Sequence, residues 1–205
     1  MTLTYGYNEP IFTDELRPEL ALESSTLRMK LKRLADKNKI KRYAPGIYFI
    51  PKPDALLNKQ TLSFNQVIQR KYLYENHKPI GYQTGIALAN QFNLTSQTPG
   101  IFDVVTNKET SRKRKIKINN WQVILRKPIK PINEQNIKIL QALDLLSNYD
   151  KLSEKSPSQG YPIILEHLAG MSLPKHEFES ILSSYPETTL VKVHESGLYN
   201  HITKV

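Results

Sequence analysis

Apolar positions recur along the chain with two different periods, and the changes of period mark its elements. Between Ser24 and Asp36, Leu27, Leu31, Leu34 and Ala35 fall at i, i+4, i+7 and i+8, one face of a helix. Ser24 or Ser25 is suited to cap it, since a hydroxyl accepts from a free first-turn amide. Asn38 stands where the helix should stop and tolerates the left-handed conformation. From Lys39 to Ile50 the period becomes strand-like. Pro45-Gly46 suits the centre of a type II turn, proline presetting the first φ and glycine supplying the positive second one. A hairpin pairing Lys39–Arg42 with Ile47–Ile50 is therefore predicted. Upstream, Ile11 and Phe12 precede Thr13, a candidate cap for a short helix that Pro18 ends or bends. PKPDALLNK, with two prolines, reads as a linker. It divides the chain into domains at 1–52 and 60–205.

The second region opens on a helix around Ser63–Glu75, with Phe64, Val67, Ile68 and Leu73 inward. Another follows near Gln83–Phe92. Strands are predicted at Ile101–Thr106, Arg114–Ile118 and Trp121–Arg126, the last two joined by an Asn119-Asn120 turn. Ile137, Leu140, Leu143 and Leu145 or Leu146 give residues 133–148 the strongest helical pattern of this half. SEKSPSQGYP at 153–162 reads as a polar loop, followed by helices near 163–170 and 174–184 and a strand-like TTLVKV. The predicted fold class is α+β: an N-terminal winged helix-turn-helix followed by a mixed α/β C-terminal domain.

Charge sharpens this picture. The 205 residues carry a formal net charge of +10, which favours a polyanionic partner, nucleic acid before an anionic membrane surface. Cysteine is absent, which excludes a disulfide framework and thiolate metal sites. Neither a secretory leader nor a membrane-length apolar run is legible, so a cytoplasmic protein is expected.

The basic residues concentrate where the helix meets the hairpin. With the leucines inward, the outer arc of the helix carries Ser25, Met29, Lys32, Arg33 and Asp36, with Arg28 on its margin, and Thr26 stands in its first turn. A major groove admits such a helix, and side chains of its first two turns reach base edges. Arg28 suits guanine and Met29 a thymine methyl, while Lys30, Lys32, Arg33 and Lys37 are placed for phosphates. Lys41 and Arg42, on the first hairpin strand, would reach the neighbouring minor groove or backbone. A second run, SRKRKIK, supplies Arg112, Lys113, Arg114, Lys115 and Lys117 as a further phosphate-contacting patch.

Enzymatic signatures are missing. His77, His167, His176, His194 and His201 lack a metal-ligand spacing, and there is no GxSxG, phosphate-cradling glycine loop or HExxH. Asp103, Asp144 and Asp150 are the carboxylates nearest the predicted core elements, and sequence does not say whether they meet. No catalytic residue, metal or cofactor is expected.

The string IFTDEL … LRMKLKRLADKNKIKRYAPGIYFIP resembles the N-terminal domain of the AbiEi family, antitoxins of bacterial abortive-infection systems that defend against phage. The similarity continues through GYQTGIALANQFNLTSQTPGIFDVVTN and KRKIKINNWQVILRKP, covering residues 11–128. The resemblance implies a repressor that binds inverted repeats in its own promoter, paired on DNA even where the free protein is a monomer or weak dimer. It also implies a type IV antitoxin that counteracts a co-encoded AbiEii-like nucleotidyltransferase toxin without a stable complex. The competing reading is a winged-helix regulator whose C-terminal domain senses a small ligand.

Overall fold

Ile11 and Phe12, both fully buried, begin the first unit as a short strand, β1 (Ile11–Phe12). The computed structural model describes residues 5–53 and 61–203, so most of the expected linker lies outside the described residues. The chain divides into two compact units, Met1–Lys71 with Lys117–Asn120 and Tyr72–Ile116 with Trp121–Val205. In the first, β1 runs into α1 (Thr13–Glu19), then α2 (Ser24–Asp36), and a hairpin of β2 (Lys41–Ala44) and β3 (Ile47–Phe49). The three strands form an antiparallel sheet in the order β1-β3-β2.

The leucine stripe of α2 acts as its spacing requires. Leu27 and Leu31 are buried with Ile11, Leu16, Ile40 and Ile50, while Leu34 and Ala35 close the edge of that core. Asn38 takes φ +53° past the helix end, and the Lys39 amide returns to the Leu34 carbonyl at 2.9 Å, the left-handed stop expected. Gly46 takes φ +77° at the hairpin turn. The pairing sets Arg42 opposite Tyr48 and Ala44 opposite Ile47, with a bulge at Tyr43. Outside the hairpin, α1 is fastened to the chain after helix α3 (Phe64–Ile68). Arg70 reaches Glu15 at 3.2 Å, and Lys71 reaches Asp14 at 3.1 Å while lying over the Phe12 ring.

Two expectations need correcting here. Neither serine caps α2: Glu23 occupies the N-cap position without a side-chain hydrogen bond, and both serines are already helical. The predicted helix Ser63–Glu75 is shorter in its α-helical part, passing after Ile68 into a π-helical turn, Gln69–Leu73. Ser63 does cap it, in a reciprocal box with Gln66.

The second unit is built on β6 (Gly81–Gln83), β7 (Phe102–Thr106) and β9 (Trp121–Arg126). With the edge strand β8 (Arg114–Ile118), whose last two residues are assigned to the first unit, they form a four-stranded sheet in the order β6-β7-β9-β8. A small ladder of β4 (Tyr74–Glu75) and β5 (Lys78–Pro79) precedes it. Strand β6 pairs antiparallel with β7, and β7 pairs parallel with β9. Helix α4 (Ile86–Gln91) links the first two strands. The centre of the core is α5 (Ile137–Ser147), where Ile139, Leu140, Ala142, Leu143, Leu145 and Leu146 are all buried. A helix apolar around most of its circumference must be enclosed. Around it lie α6 (Tyr149–Leu152), α7 (Pro157–His167), α8 (Lys175–Leu182), α9 (Glu187–Glu195) and α10 (Leu198–Ile202), contributing Ile164, Phe178, Val193 and Leu198.

The polar stretch at 153–162 is not a loop throughout. Ser156 and Gln159 form a capping box and Pro157 opens α7, with the fixed φ that a first helical turn accepts. The strand-like TTLVKV is also helical, lying within α9 after Pro186. Its β-branched residues favour a strand only weakly, and Thr189 and Val193, one turn apart, are buried instead. Overall the molecule is a mixed α+β protein, and among the described residues no helix is long and apolar enough to cross a membrane.

Candidate nucleic-acid interface

Helix α2 turns its cations outward. Ser25, Arg28, Met29, Lys30, Lys32, Arg33 and Lys37 are exposed, Thr26 is half-buried, and Met29 leaves 56% of its surface to solvent. On β2, Arg42 is exposed and Lys41 half-buried. Among the described residues none of Arg28, Lys30, Lys32, Arg33, Lys37 and Arg42 is engaged in an ion pair. Their charge is thus available to a partner.

A concave surface of about 580 Å³ lies at the start of this helix. Arginines from three elements line it: Arg17 from α1, Arg28 from α2 and Arg42 from β2, with Ser24, Gly46 and Tyr48 between them. Its acidic lining residue, Asp14, is held by Lys71. Arg17 donates from Nη1 to the Ser24 hydroxyl at 3.3 Å, so that serine orients a guanidinium instead of capping its helix. The uncapped first turn of α2 keeps its amide donors, and its dipole adds to the positive field. Three guanidiniums and a helix N-terminus around one hollow make an anion cradle. Sequence reasoning named Arg28 and Arg42 and missed Arg17, whose only local mark is its place in the last turn of α1.

The second basic run is also at the surface, with Arg112, Lys113, Arg114, Lys115 and Lys117 all exposed. One of them is tethered. Glu109, almost fully buried, accepts the Thr110 and Ser111 amides at 3.0 and 2.9 Å and the Arg114 Nε at 2.7 Å. Burial alone would raise this carboxyl, but the Ser111 amide and the Arg114 guanidinium prevail and hold it below the usual glutamate range. A lowered folded value means stability that is present above the ordinary glutamate pKa and disappears as pH falls through the folded value. Glu109→Gln should therefore lose about 1–2 kcal/mol at neutral pH. Its unfolding midpoint should also fall less steeply than wild type below pH 5, as followed by circular dichroism. An unchanged acid profile would leave Glu109 without this role.

In the second unit the structure joins two of the three carboxylates that sequence could not relate. Arg126 donates from Nε and Nη2 to the two Asp103 oxygens at 2.7 and 2.6 Å, a bidentate pair across β9 and β7. Asp144, on α5, accepts from the Thr84 hydroxyl and from Asn148 Nδ2. Burial pushes the Asp144 carboxyl up, against the Thr84 hydrogen bond and the Arg126 charge, with the Asp103 charge raising it further. Both aspartates face one cavity of about 510 Å³. Asp150 belongs elsewhere, paired with Lys192. His167 packs on the Phe92 ring and contacts Gln141, its pKa lowered by burial and by Lys138. Among the described residues no three His, Cys, Asp or Glu side chains are grouped to hold a metal ion.

Residues 19–159 match the model of a family of unknown function, DUF6088. The chain belongs to the DUF6088 family. No curated protein matches it. The DUF6088 stretch takes in α2, the hairpin and every residue lining the second cavity, and it ends inside α7. Arg17 falls just outside the DUF6088 boundary, whereas Arg28 and Arg42 fall within it.

Proposed function

We propose that the protein binds duplex DNA through its first unit as a winged helix-turn-helix, represses its own operon, and serves as the antitoxin of an AbiEi/AbiEii-type system. The observation that carries the DNA-binding part is the hollow in which Arg17, Arg28 and Arg42 meet at the N-terminus of an outward-facing basic helix. A backbone phosphate suits it, because three guanidiniums satisfy its oxygens and fix the helix in register on the duplex. Arg28, Met29 and Lys32 then lie along the solvent face of α2 to address a major groove, and Arg42 stands on the hairpin beside it. The order strand, helix, helix, hairpin, with the first strand completing the hairpin's sheet, is compatible with a winged module. An operator of inverted repeats calls for two copies on DNA, one for each half-site.

Antitoxicity is supported by the resemblance of residues 11–128 to AbiEi proteins. The toxin it implies is a co-encoded nucleotidyltransferase, opposed without a lasting complex in the cytoplasm, and no catalytic step is assigned to this chain. Two assays separate the roles. In a mobility-shift assay the wild type should retard a fragment spanning its own promoter, and Arg28→Ala/Lys32→Ala should retard it at least tenfold less well. In a growth assay with the neighbouring gene product, the same double variant should rescue as well as wild type. Loss of rescue together with DNA binding, in a protein that still melts normally, would overturn this division of labour.

A further inference from the structure

We propose that the cavity of the second unit binds a small molecule through a protonated nitrogen head, ammonium or guanidinium, carried on an apolar body. This inference is independent of the DNA-binding reading, because it concerns different residues and a different class of ligand.

The floor of the cavity is rich in hydrogen-bond acceptors. Each Asp144 oxygen accepts one protein hydrogen bond, Oδ2 from Thr84 and Oδ1 from Asn148, which leaves lone-pair capacity on both. Asn148 Nδ2 is directed to the Asp144 carbonyl and carboxylate, so the Asn148 Oδ1 remains an acceptor with no protein donor among the described residues. These acceptors lie in a recess whose wall includes Ile86, Ile101, Ile124 and Leu152. A donor-rich head is what such a floor lacks.

Charge points the same way. The lining contains two carboxylates and two cations, of which the Arg126 guanidinium is already committed to Asp103 and the Lys151 ammonium ends an exposed side chain. Arg126 spends two donors on Asp103, so that pair is close to neutral and the carboxylate of Asp144 is left with only hydroxyl and amide partners. Burial is what raises its pKa, with the Thr84 hydrogen bond and the Arg126 charge opposing it. A cation seated on Asp144 would supply a direct countercharge to that carboxylate, deeper than the exposed Lys151 at the same cavity. At the rim, Gly85 and Gly100 face open space, since a Cβ built on either has no neighbour within 4 Å. The space is large enough for a ligand of one ring, near the lower end of ordinary small-molecule sites.

The test titrates the full chain with four compounds of one size, followed by calorimetry and by thermal melting. Benzamidine and benzylamine are cationic, benzamide is neutral and benzoate is anionic. At least one of the two cations should give a saturable isotherm and raise the melting temperature. Benzamide and benzoate should bind at least tenfold more weakly than that cation. The tighter cation distinguishes a planar fork from a compact ammonium. Asp144→Asn, which keeps the size of the side chain, should weaken the preferred cation at least tenfold. Its own melt, recorded without ligand, checks folding. If Asp144→Asn fails to fold, Asn148→Ala takes its place and should weaken the preferred cation severalfold. Tighter binding of benzoate, equal binding of benzamide, unchanged affinity in a folded variant, or no isotherm with either cation each overturns the proposal.

Discussion

Replacing Arg17, Arg28 and Arg42 together by alanine should lower affinity for the promoter duplex by on the order of 10³-fold at fixed salt. A hydrogen bond to a charged group contributes about 1.5 kcal/mol at the low end of its range. Three of them come to about 4.5 kcal/mol, and each 1.4 kcal/mol is a factor of about ten. Salt dependence is the more specific readout. Each phosphate neutralised steepens the slope of log K against log salt by about 0.9, so the triple variant, which gives up the one phosphate of the hollow, should be shallower by about 1. The single variants rank the residues. Arg17→Ala should lower affinity for every sequence alike, since its partner in the free protein is a serine hydroxyl and its place is the phosphate hollow. Arg28→Ala should also relax discrimination at one base position. These cations are exposed and carry no ion pair among the described residues, so the fold should persist, with each single variant melting within about 0.5 kcal/mol of wild type. A triple variant that binds with wild-type affinity and slope would remove the hollow from the DNA-binding surface.

The second basic run offers a contrast on the same axis. Were the two basic regions to neutralise six to ten phosphates together, affinity would drop roughly 10³–10⁵-fold between 50 and 200 mM salt. Removing Arg112, Lys113 and Lys115 reports their share of that slope. Arg114 is the least useful member to change, because its guanidinium holds Glu109 and its loss mixes charge with stability.

Legibility followed the range of the interaction. The leucine face of α2, the stop at Asn38 and the Pro45-Gly46 turn are set by residues within a few positions of one another, and each stands where the sequence pattern puts it. The Ser156–Gln159 box is equally local, but it was obscured by the polarity of its surroundings, and TTLVKV was read from β-branching that burial in α9 outweighs. What sequence could not supply was convergence. Arg17 meets Arg28 and Arg42 only because β1 and the hairpin form one sheet, and Asp103 shares a cavity with Asp144, which stands 41 positions later on another element. The cap of α2 shows the same limit in reverse. A serine placed for a local bond is drawn off by an arginine seven positions upstream.

The largest stability loss is expected from a single methyl group. Gly81 opens β6 in a slot made of backbone: a Cβ there would lie 2.2 Å from the Tyr72 carbonyl oxygen, 2.6 Å from that of Val105 and 3.1 Å from the Thr106 Cβ. Carbonyls held in a π-helical turn, as that of Tyr72, or in a strand, as that of Val105, cannot swing aside as a side-chain tip can. Ile80 on one side is fixed by bonds to Leu73 and Asn107, each 2.8 Å, and Gly81 itself is in register with Thr106. Gly81→Ala must therefore displace β6 from β7, at about 3 kcal/mol, the upper end of ordinary overpacking. In a chain of this size that corresponds to a melting temperature lower by roughly 6–12 °C. Trp121, the sole tryptophan, lies on β9 of the same sheet and reports the transition by fluorescence. The damage should reach the acceptor-rich cavity as well. Thr84 directly follows β6, bonds to the Asp103 carbonyl at 2.9 Å and donates to Asp144, so a shifted strand removes a partner from that carboxylate. Cation affinity measured well below the melting transition should accordingly fall in Gly81→Ala. A variant that melts like wild type would show that β6 does not pass so close to those two carbonyls.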